Sequence, residues 1–193
     1  MKRSTSRRKL GLQPSVPDPR HHLLRAVLGF VRAARLSPGV RRIALLGSLA
    51  TDKPLPKDTD VLVTIDAATH LASLARLGRR LKGTAQTINL GADIFLADGA
   101  GRYLGRICHY RECHARVACR ALHCSRRPHL NDDLQIVTLS PALIGSPPID
   151  LWPRIVARCA VPVDMEVLLV AELEKDGTPR VWNAGSDQIN AVF

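Results

Sequence analysis

A polar segment between two short apolar runs, within residues 43–63, constrains the fold of this chain more than any other feature. Each run is typical of a buried strand; Gly47 and Ser48 follow the first, and Asp58 and Asp60 open the second. Because side chains alternate along a strand, both carboxylates are expected on one face. Two carboxylates so close repel each other unless a cation lies between them, and carboxylate oxygens are ligands that Mg²⁺ prefers. The segment therefore predicts a Mg²⁺ site beside a turn, with a plain turn and a capping Asp-x-Asp as the alternative.

The same residues resemble a known family. Gly47-Ser48, nine intervening residues and Asp58-Thr59-Asp60 resemble the signature of the nucleotidyltransferase superfamily, which has the DNA polymerase β-like fold, and in particular its minimal single-domain members. The resemblance covers about residues 43–96 and implies a third carboxylate from a later strand, which Asp93 matches. Where the family often has serine or threonine before its first aspartate, this chain has Lys57.

The resemblance implies an enzyme that moves a nucleoside monophosphate from an NTP, expected to be ATP, to a hydroxyl of RNA, a protein or a small molecule. It assigns catalysis and Mg²⁺ binding to Asp58, Asp60 and Asp93, and nucleotide binding to Gly47 and Ser48. Lys57, which departs from the family pattern, is a further candidate for nucleotide binding. Glycine lets the backbone approach a phosphate, serine adds a hydroxyl and an N–H, and the lysine either competes with the metal or binds a phosphate. Two other functions stay open: a non-catalytic zinc- and nucleic-acid-binding module on the same scaffold, and one component of a toxin–antitoxin pair.

The order of apolar segments predicts an α/β (α+β) fold with a mixed β-sheet flanked by helices. A helix is expected after the N-cap Asp18, and a second from Asp66 to about Leu81, closed by Gly83. A strand over residues 84–96 then carries Asp93, and together these elements form a core domain of residues 18–100. Residues 131–193 are expected to complete the domain with strands at 135–139 and 167–170, a short helix after Asp150 that includes residues 151–156, and a hairpin turn at 176–177.

Four of the five cysteines lie within a short segment, with three histidines between them. Clustered thiols in a chain expected to be cytosolic favour a metal over disulfides, and thiolate and imidazole ligands favour structural Zn²⁺. A compact zinc knuckle is therefore predicted over residues 101–130, with reduced packing cysteines or a redox pair as alternatives. Its predicted ligands are Cys108, Cys113, Cys119 and Cys124, whereas the isolated Cys159 is predicted to be a core residue.

The chain carries a net charge of +11, from 28 basic and 17 acidic residues. Residues 1–17 are expected to form a disordered basic arm, and arginines such as Arg106 and Arg111 lie near the cysteines together with Tyr103 and Tyr110. Both groups predict contact with a polyanion such as RNA, with a solvated arginine-rich face as the alternative. No segment is apolar enough for a membrane span and no signal peptide is recognised, so a cytoplasmic protein is expected. The nucleotide, the acceptor and the oligomeric state are left open.

Overall fold

A seven-stranded mixed sheet with helices packed against it forms the body of the protein. The computed structural model describes residues 18–108, 110, 121 and 127–181. The helices are α1 (Pro19–Ala34), α2 (Ala72–Gln86), α3 (Pro141–Gly145), α4 (Val163–Met165) and α5 (Ala171–Lys175). The strands are β1 (Val40–Leu46), β2 (Asp58–Ile65), β3 (Gly91–Asp98), β4 (Tyr103–Ile107), β5 (Leu130–Asn131), β6 (Ile149–Trp152) and β7 (Val156–Ala157). The predicted α/β class, a mixed sheet flanked by helices, is confirmed.

The strand order is β5-β4-β3-β2-β1-β6-β7, and β2 and β3 form the parallel pair at its centre. The neighbours of this pair run antiparallel to it, β1 beside β2 and β4 beside β3. A parallel pair needs a crossover, and α2 provides it between β2 and β3. As a result, β2 and β3 begin at the same edge of the sheet.

The two faces of the sheet are covered differently. The main core lies on the face that packs against α1, α2 and the C-terminal helices, and it includes Val61, Val63 and Leu96. A smaller cluster on the opposite face includes Leu46, Leu62, Phe95 and Ile144, with Val137 and Leu139 packed against it. Alternation along β2 therefore places Asp58 and Asp60 on the face of the smaller cluster, together with Leu62.

Helix α1 begins as the sequence predicts. The Asp18 side chain accepts a hydrogen bond from the backbone N–H of Arg20 at 2.9 Å, and Pro19 occupies the first helical position. The predicted apolar face, which includes Leu24, Val27 and Val31, is fully buried against the sheet.

Helix α2 differs from the prediction at both ends. Asp66 is not its N-cap, because its carboxylate accepts hydrogen bonds from Nε of Arg41, and α2 begins only at Ala72. The helix does not end at Gly83 but continues to Gln86, because the buried Ala85 holds its last turn against the core. The predicted strand at residues 84–96 is correspondingly shorter, since β3 begins at Gly91.

The C-terminal part contains most of the wrong secondary-structure predictions. Residues 135–139 form the end of a turn and irregular backbone rather than a strand. Residues 149–152 form β6, which pairs with β1, instead of a helix. The apolar run at 167–170 is helical and lies within a π-helical turn, Glu166–Val170. Short apolar runs do not distinguish a strand from a buried helix, and here the partner, α1, decides.

Two further predictions in this part are corrected. The turn at 176–177 ends α5 and does not form a hairpin, and Gly177 has a positive φ of 85° there. Cys159 is exposed rather than part of the core.

Among the described residues, no helix has both the length and the apolar character that a bilayer crossing needs. The predicted basic arm at 1–17 lies outside the described residues, as do Cys113, Cys119 and Cys124.

Candidate functional site

Asp58, Asp60 and Asp93 come together at the edge of the sheet where the parallel strands begin. In the register of β2 and β3, Asp60 is paired directly with Asp93, and Asp58 with Gly91. Paired residues on neighbouring strands have Cα atoms roughly 4.8 Å apart, so the carboxylates of Asp60 and Asp93 are neighbours on one face. All three aspartates are half-buried. The structure therefore brings the three sequence-predicted carboxylates into one group.

The turn after β1 lies directly against this group. Leu46 pairs with Asp60 across the antiparallel β1–β2 ladder, so the next residue, Gly47, lies beside the carboxylate. Gly47 has a φ of 68°, and a Cβ built there would lie 2.4 Å from Oδ2 of Asp60. Only glycine fits this position, because a side chain would collide with the carboxylate and strain the backbone.

Ser48 adds a polar group that has no hydrogen-bond partner. Its Oγ is fully buried and makes no hydrogen bond within the described part of the chain. The following turn is closed by the backbone carbonyl of Ser48, which accepts from Oγ1 of Thr51 at 2.8 Å. A buried hydroxyl without a partner is costly, so the position suits a bound water or an oxygen of a ligand.

The electrostatics of the group are centred on Asp60. Burial raises the pKa of the Asp60 carboxyl to about 6, and the negative charges of Asp58 and Asp93 add to the rise. A carboxylate in this position gains from a nearby cation more than an isolated surface aspartate does. The group thus favours either a proton or a bound cation at neutral pH.

Two residues that the sequence did not place in the site complete it. The guanidinium of Arg106, on β4, lies 3.2 Å from Oδ2 of Asp93 through one nitrogen and 2.5 Å from Oδ2 of Asp133 through another. The Asp133 side chain is only 7% exposed. The sequence predicts Arg106 instead as part of the arginine-rich group near the cysteines. The sequence signal that could have placed Arg106 in the site is the turn at Asp98. This turn pairs β4 with β3, and the register sets Arg106 opposite Phe95, on the same face as Asp93.

Tyr103, also predicted as a planar group for base stacking, is instead part of the sheet face. Its ring lies 6.3 Å from that of Phe95, centroid to centroid, and its hydroxyl is buried. Burial raises the pKa of the Tyr103 hydroxyl to about 12. The phenol therefore stays protonated beside Arg106 and Asp133.

Lys57 is exposed at the end of the loop that precedes Asp58. Its amine makes no hydrogen bond or ion pair with the described residues, and both predicted roles of Lys57 stay predictions.

The residues present fit a Mg²⁺ ion only in part. Within residues 18–108 and 127–181, no set of three or more His, Cys, Asp or Glu side chains is arranged to hold a metal ion. Mg²⁺ commonly takes one or two carboxylates and completes its shell with water and phosphate oxygens. Asp58 and Asp60, with the raised pKa of Asp60, meet that smaller requirement. The predicted third ligand, Asp93, is in an ion pair with Arg106.

The predicted zinc site is not tested, because only one of its four ligands is described. Cys108 directly follows β4 and is buried, with its backbone N–H donating to the carbonyl of His129 at 2.8 Å. The zinc knuckle stays a prediction from the spacing of the cysteines.

Two surface cavities lie away from the carboxylates. One, of about 500 Å³, is lined by residues that include Gly39, Asp66 and His70 at the opposite end of β2. The other, of about 280 Å³, lies between α1 and α2 on the other face of the sheet. Neither of these two cavities is lined by the three aspartates.

The chain has no significant match to any protein-family model, curated protein or solved structure. The functional argument consequently depends on the geometry of this site and on the sequence motif.

Proposed function

We propose that this protein is a nucleotidyltransferase, which transfers a nucleoside monophosphate from an NTP to an acceptor hydroxyl. The observation that supports the proposal most is the register that sets Asp60 beside Asp93, with Gly47 in contact with Asp60. This is the arrangement that the nucleotidyltransferase resemblance implies for the strand–Gly-Ser–Asp-x-Asp segment and a later aspartate. Zn²⁺ and RNA stay additional candidates for the Cys-rich segment.

In this proposal Asp58 and Asp60 hold Mg²⁺, which neutralises part of the charge of the triphosphate when it is bound. Ser48 donates its unpartnered hydroxyl to a phosphate oxygen, and the missing side chain at Gly47 lets the Asp60 carboxylate lie directly against the same turn. The acceptor oxygen forms a bond to the α-phosphorus, the bond to the pyrophosphate oxygen breaks, and the hydroxyl proton passes to a carboxylate of the group or to water. The chain's contribution is to position the reactants and stabilise their charge.

The test is to incubate the protein with Mg²⁺, a cell extract and NTPs labelled at either the α- or the γ-phosphate. A nucleotidyltransferase places the α-label, and not the γ-label, on an acceptor, whereas a kinase does the reverse. Asp60→Asn should abolish the transfer, and Asp66→Asn, at the other end of β2, should leave it intact. Absence of α-label on any acceptor, with all four NTPs, would contradict the proposal.

One observation favours a second candidate, a non-catalytic binding module on the same scaffold. Asp93, the predicted third metal ligand, is in an ion pair with Arg106. A binding module would retain NTPs or RNA without transferring label. The transfer experiment, combined with nucleotide binding measured on the same preparation, separates the two candidates.

A further inference from the structure

Arg106 is placed in the carboxylate group by contacts on both sides of its guanidinium. One terminal nitrogen lies 3.2 Å from Asp93, and the other lies 2.5 Å from Asp133. The side chain is 19% exposed, so much of its charge is shielded from water. An arginine held by two carboxylates has little freedom to leave, because each contact is a charge-assisted hydrogen bond.

The protonation state of Arg106 is secure. Burial by itself lowers the pKa of the guanidinium, but the hydrogen bond to Asp133 and the charges of Asp93 and Asp133 outweigh it, and the pKa rises above its ordinary value. Arg106 is therefore a permanent cation.

Asp133 is the residue that fixes this cation. It follows β5, which pairs with β4 through Asn131 and Arg106 themselves, so the backbone on both sides of the ion pair is held in the sheet. Gly105 makes this close approach possible, since a Cβ there would lie 2.5 Å from the carbonyl oxygen of Asn131.

We propose that Arg106 is the built-in cation at Asp93, and that the site consequently binds a single divalent cation, held by Asp58 and Asp60. This inference depends on the proposed function and specifies the metal requirement of the same site. Asp58 and Asp60, on the neighbouring strand, carry two negative charges between them, which one divalent cation neutralises. Asp93 then pairs with Arg106 instead of binding a second ion.

The number of Mn²⁺ ions bound per chain tests the proposal without requiring activity. Electron paramagnetic resonance of free Mn²⁺ is measured during titration of the protein in the presence of a saturating α,β-methylene NTP analogue. The wild type is expected to retain one Mn²⁺ per protein–nucleotide complex. Arg106→Met is expected to retain two, because the variant lacks the guanidinium that is paired with Oδ2 of Asp93. The matched control is Arg102→Gln. Arg102 directly precedes β4 and its side chain is 79% exposed, so this variant should still retain one Mn²⁺.

Two Mn²⁺ ions in the wild type, or one in a folded Arg106→Met variant, would overturn the single-cation inference while leaving the proposed function intact. Absence of nucleotide-dependent Mn²⁺ retention in the wild type would overturn the proposed function itself, and the inference with it. The wild-type count needs no substitution, so it remains decisive where the variant does not fold.

Discussion

At the scale of single residues, Asp60 is where the proposed function opposes stability. Its carboxyl has a pKa of about 6 in the folded protein, against an ordinary value of 3.8, because it is buried next to two other aspartates. A raised carboxyl pKa means that ionisation is harder in the folded than in the unfolded state. Without metal, ionisation of Asp60 does not lower the free energy of unfolding below pH 3.8. Above pH 3.8 it lowers that free energy progressively, until the pH reaches about 6.

Asp60→Asn should therefore stabilise the metal-free protein at pH 8 and have little effect at pH 4. The expected gain in the free energy of unfolding at pH 8 is about 1–2 kcal/mol, after allowance for solvent screening of a half-buried group. Urea unfolding in EDTA at both pH values measures it.

Asp66→Asn is the control with the opposite sign. The hydrogen bond from Arg41 lowers the pKa of Asp66, so its negative charge is favourable in the folded protein above its ordinary pKa. The control variant should be no more stable than the wild type at pH 8. If Asp60→Asn gave the same gain at pH 4 as at pH 8, the charge argument for the site would be wrong.

Gly47 provides a second test at this scale. Gly47→Ala places a methyl group 2.4 Å from Oδ2 of Asp60 and strains a backbone with a φ of 68°. Gly101→Ala has the same kind of strain, with a φ of 78°, but its Cβ meets no atom within 4 Å. Each substitution should cost about 1–2 kcal/mol of stability through its backbone.

Only Gly47→Ala should also weaken Mg²⁺-dependent nucleotide binding, since it alone displaces Asp60. Calorimetric titration of both variants with an NTP checks this. Equal binding by the two variants would mean that the turn after β1 does not contact the nucleotide.

At the scale of elements, the end of α2 can be tested by substitution, because the helix extends past its predicted end at Gly83. Gly83 was expected to end the helix, but it lies inside α2 with open space around its Cα. Gly83→Ala should therefore stabilise the protein by about 0.5–1 kcal/mol, the usual gain of alanine over glycine in a helix interior. Thermal unfolding monitored by circular dichroism measures the shift.

Gly78→Ala is the matched variant in the same helix. Its Cβ would lie 2.9 Å from Cδ1 of Ile94 and 3.3 Å from Cγ2 of Ile107, so crowding should offset the helical gain. A destabilising Gly83→Ala would indicate that the helix ends at this glycine after all.

The elements with a local sequence signal were predictable, and those decided by contacts between distant residues were not. Alternation along β2 and the N-cap Asp18 are local signals, and both predictions are confirmed. The apolar run at 167–170 is compatible with either a strand or a helix. Its burial against α1 determines that it is helical. Arg106 and Asp133 meet because β4 and β5 pair, which is a contact that no local pattern encodes.

A buried ion-pair cluster fixes β6 to the sheet. Asp150 is 5% exposed and accepts hydrogen bonds from Arg42 on β1 and from Arg158, whose nitrogen lies 2.8 Å away. Asp150→Ala leaves two partly buried guanidinium groups without their carboxylate and should cost about 2–3 kcal/mol in urea unfolding. Lys175→Gln, which removes a 71% exposed partner of Glu172, should change stability by less than about 0.5 kcal/mol. Equal effects of the two substitutions would contradict the structural role of Asp150.

At the scale of the whole molecule, one face of the sheet carries the main core and the other carries the carboxylate group. The helices cover one face, and most of the buried apolar side chains lie there, such as Leu23, Leu45 and Leu74. Among the described residues, the smaller cluster, with Val137 and Leu139, lies on the other face. The half-buried aspartates lie on that second face, apart from the main core.

This division predicts that substitutions in the carboxylate group affect binding far more than folding. The central claim is that Asp58, Asp60 and the turn at Gly47 form a Mg²⁺-dependent nucleotide site. Isothermal titration calorimetry with a non-hydrolysable NTP, with and without Mg²⁺, tests it most directly. We expect one nucleotide per chain that binds only with Mg²⁺, with binding lost in Asp60→Asn and retained in Asp66→Asn. Nucleotide binding that does not depend on Mg²⁺, or that survives Asp60→Asn, would contradict the claim.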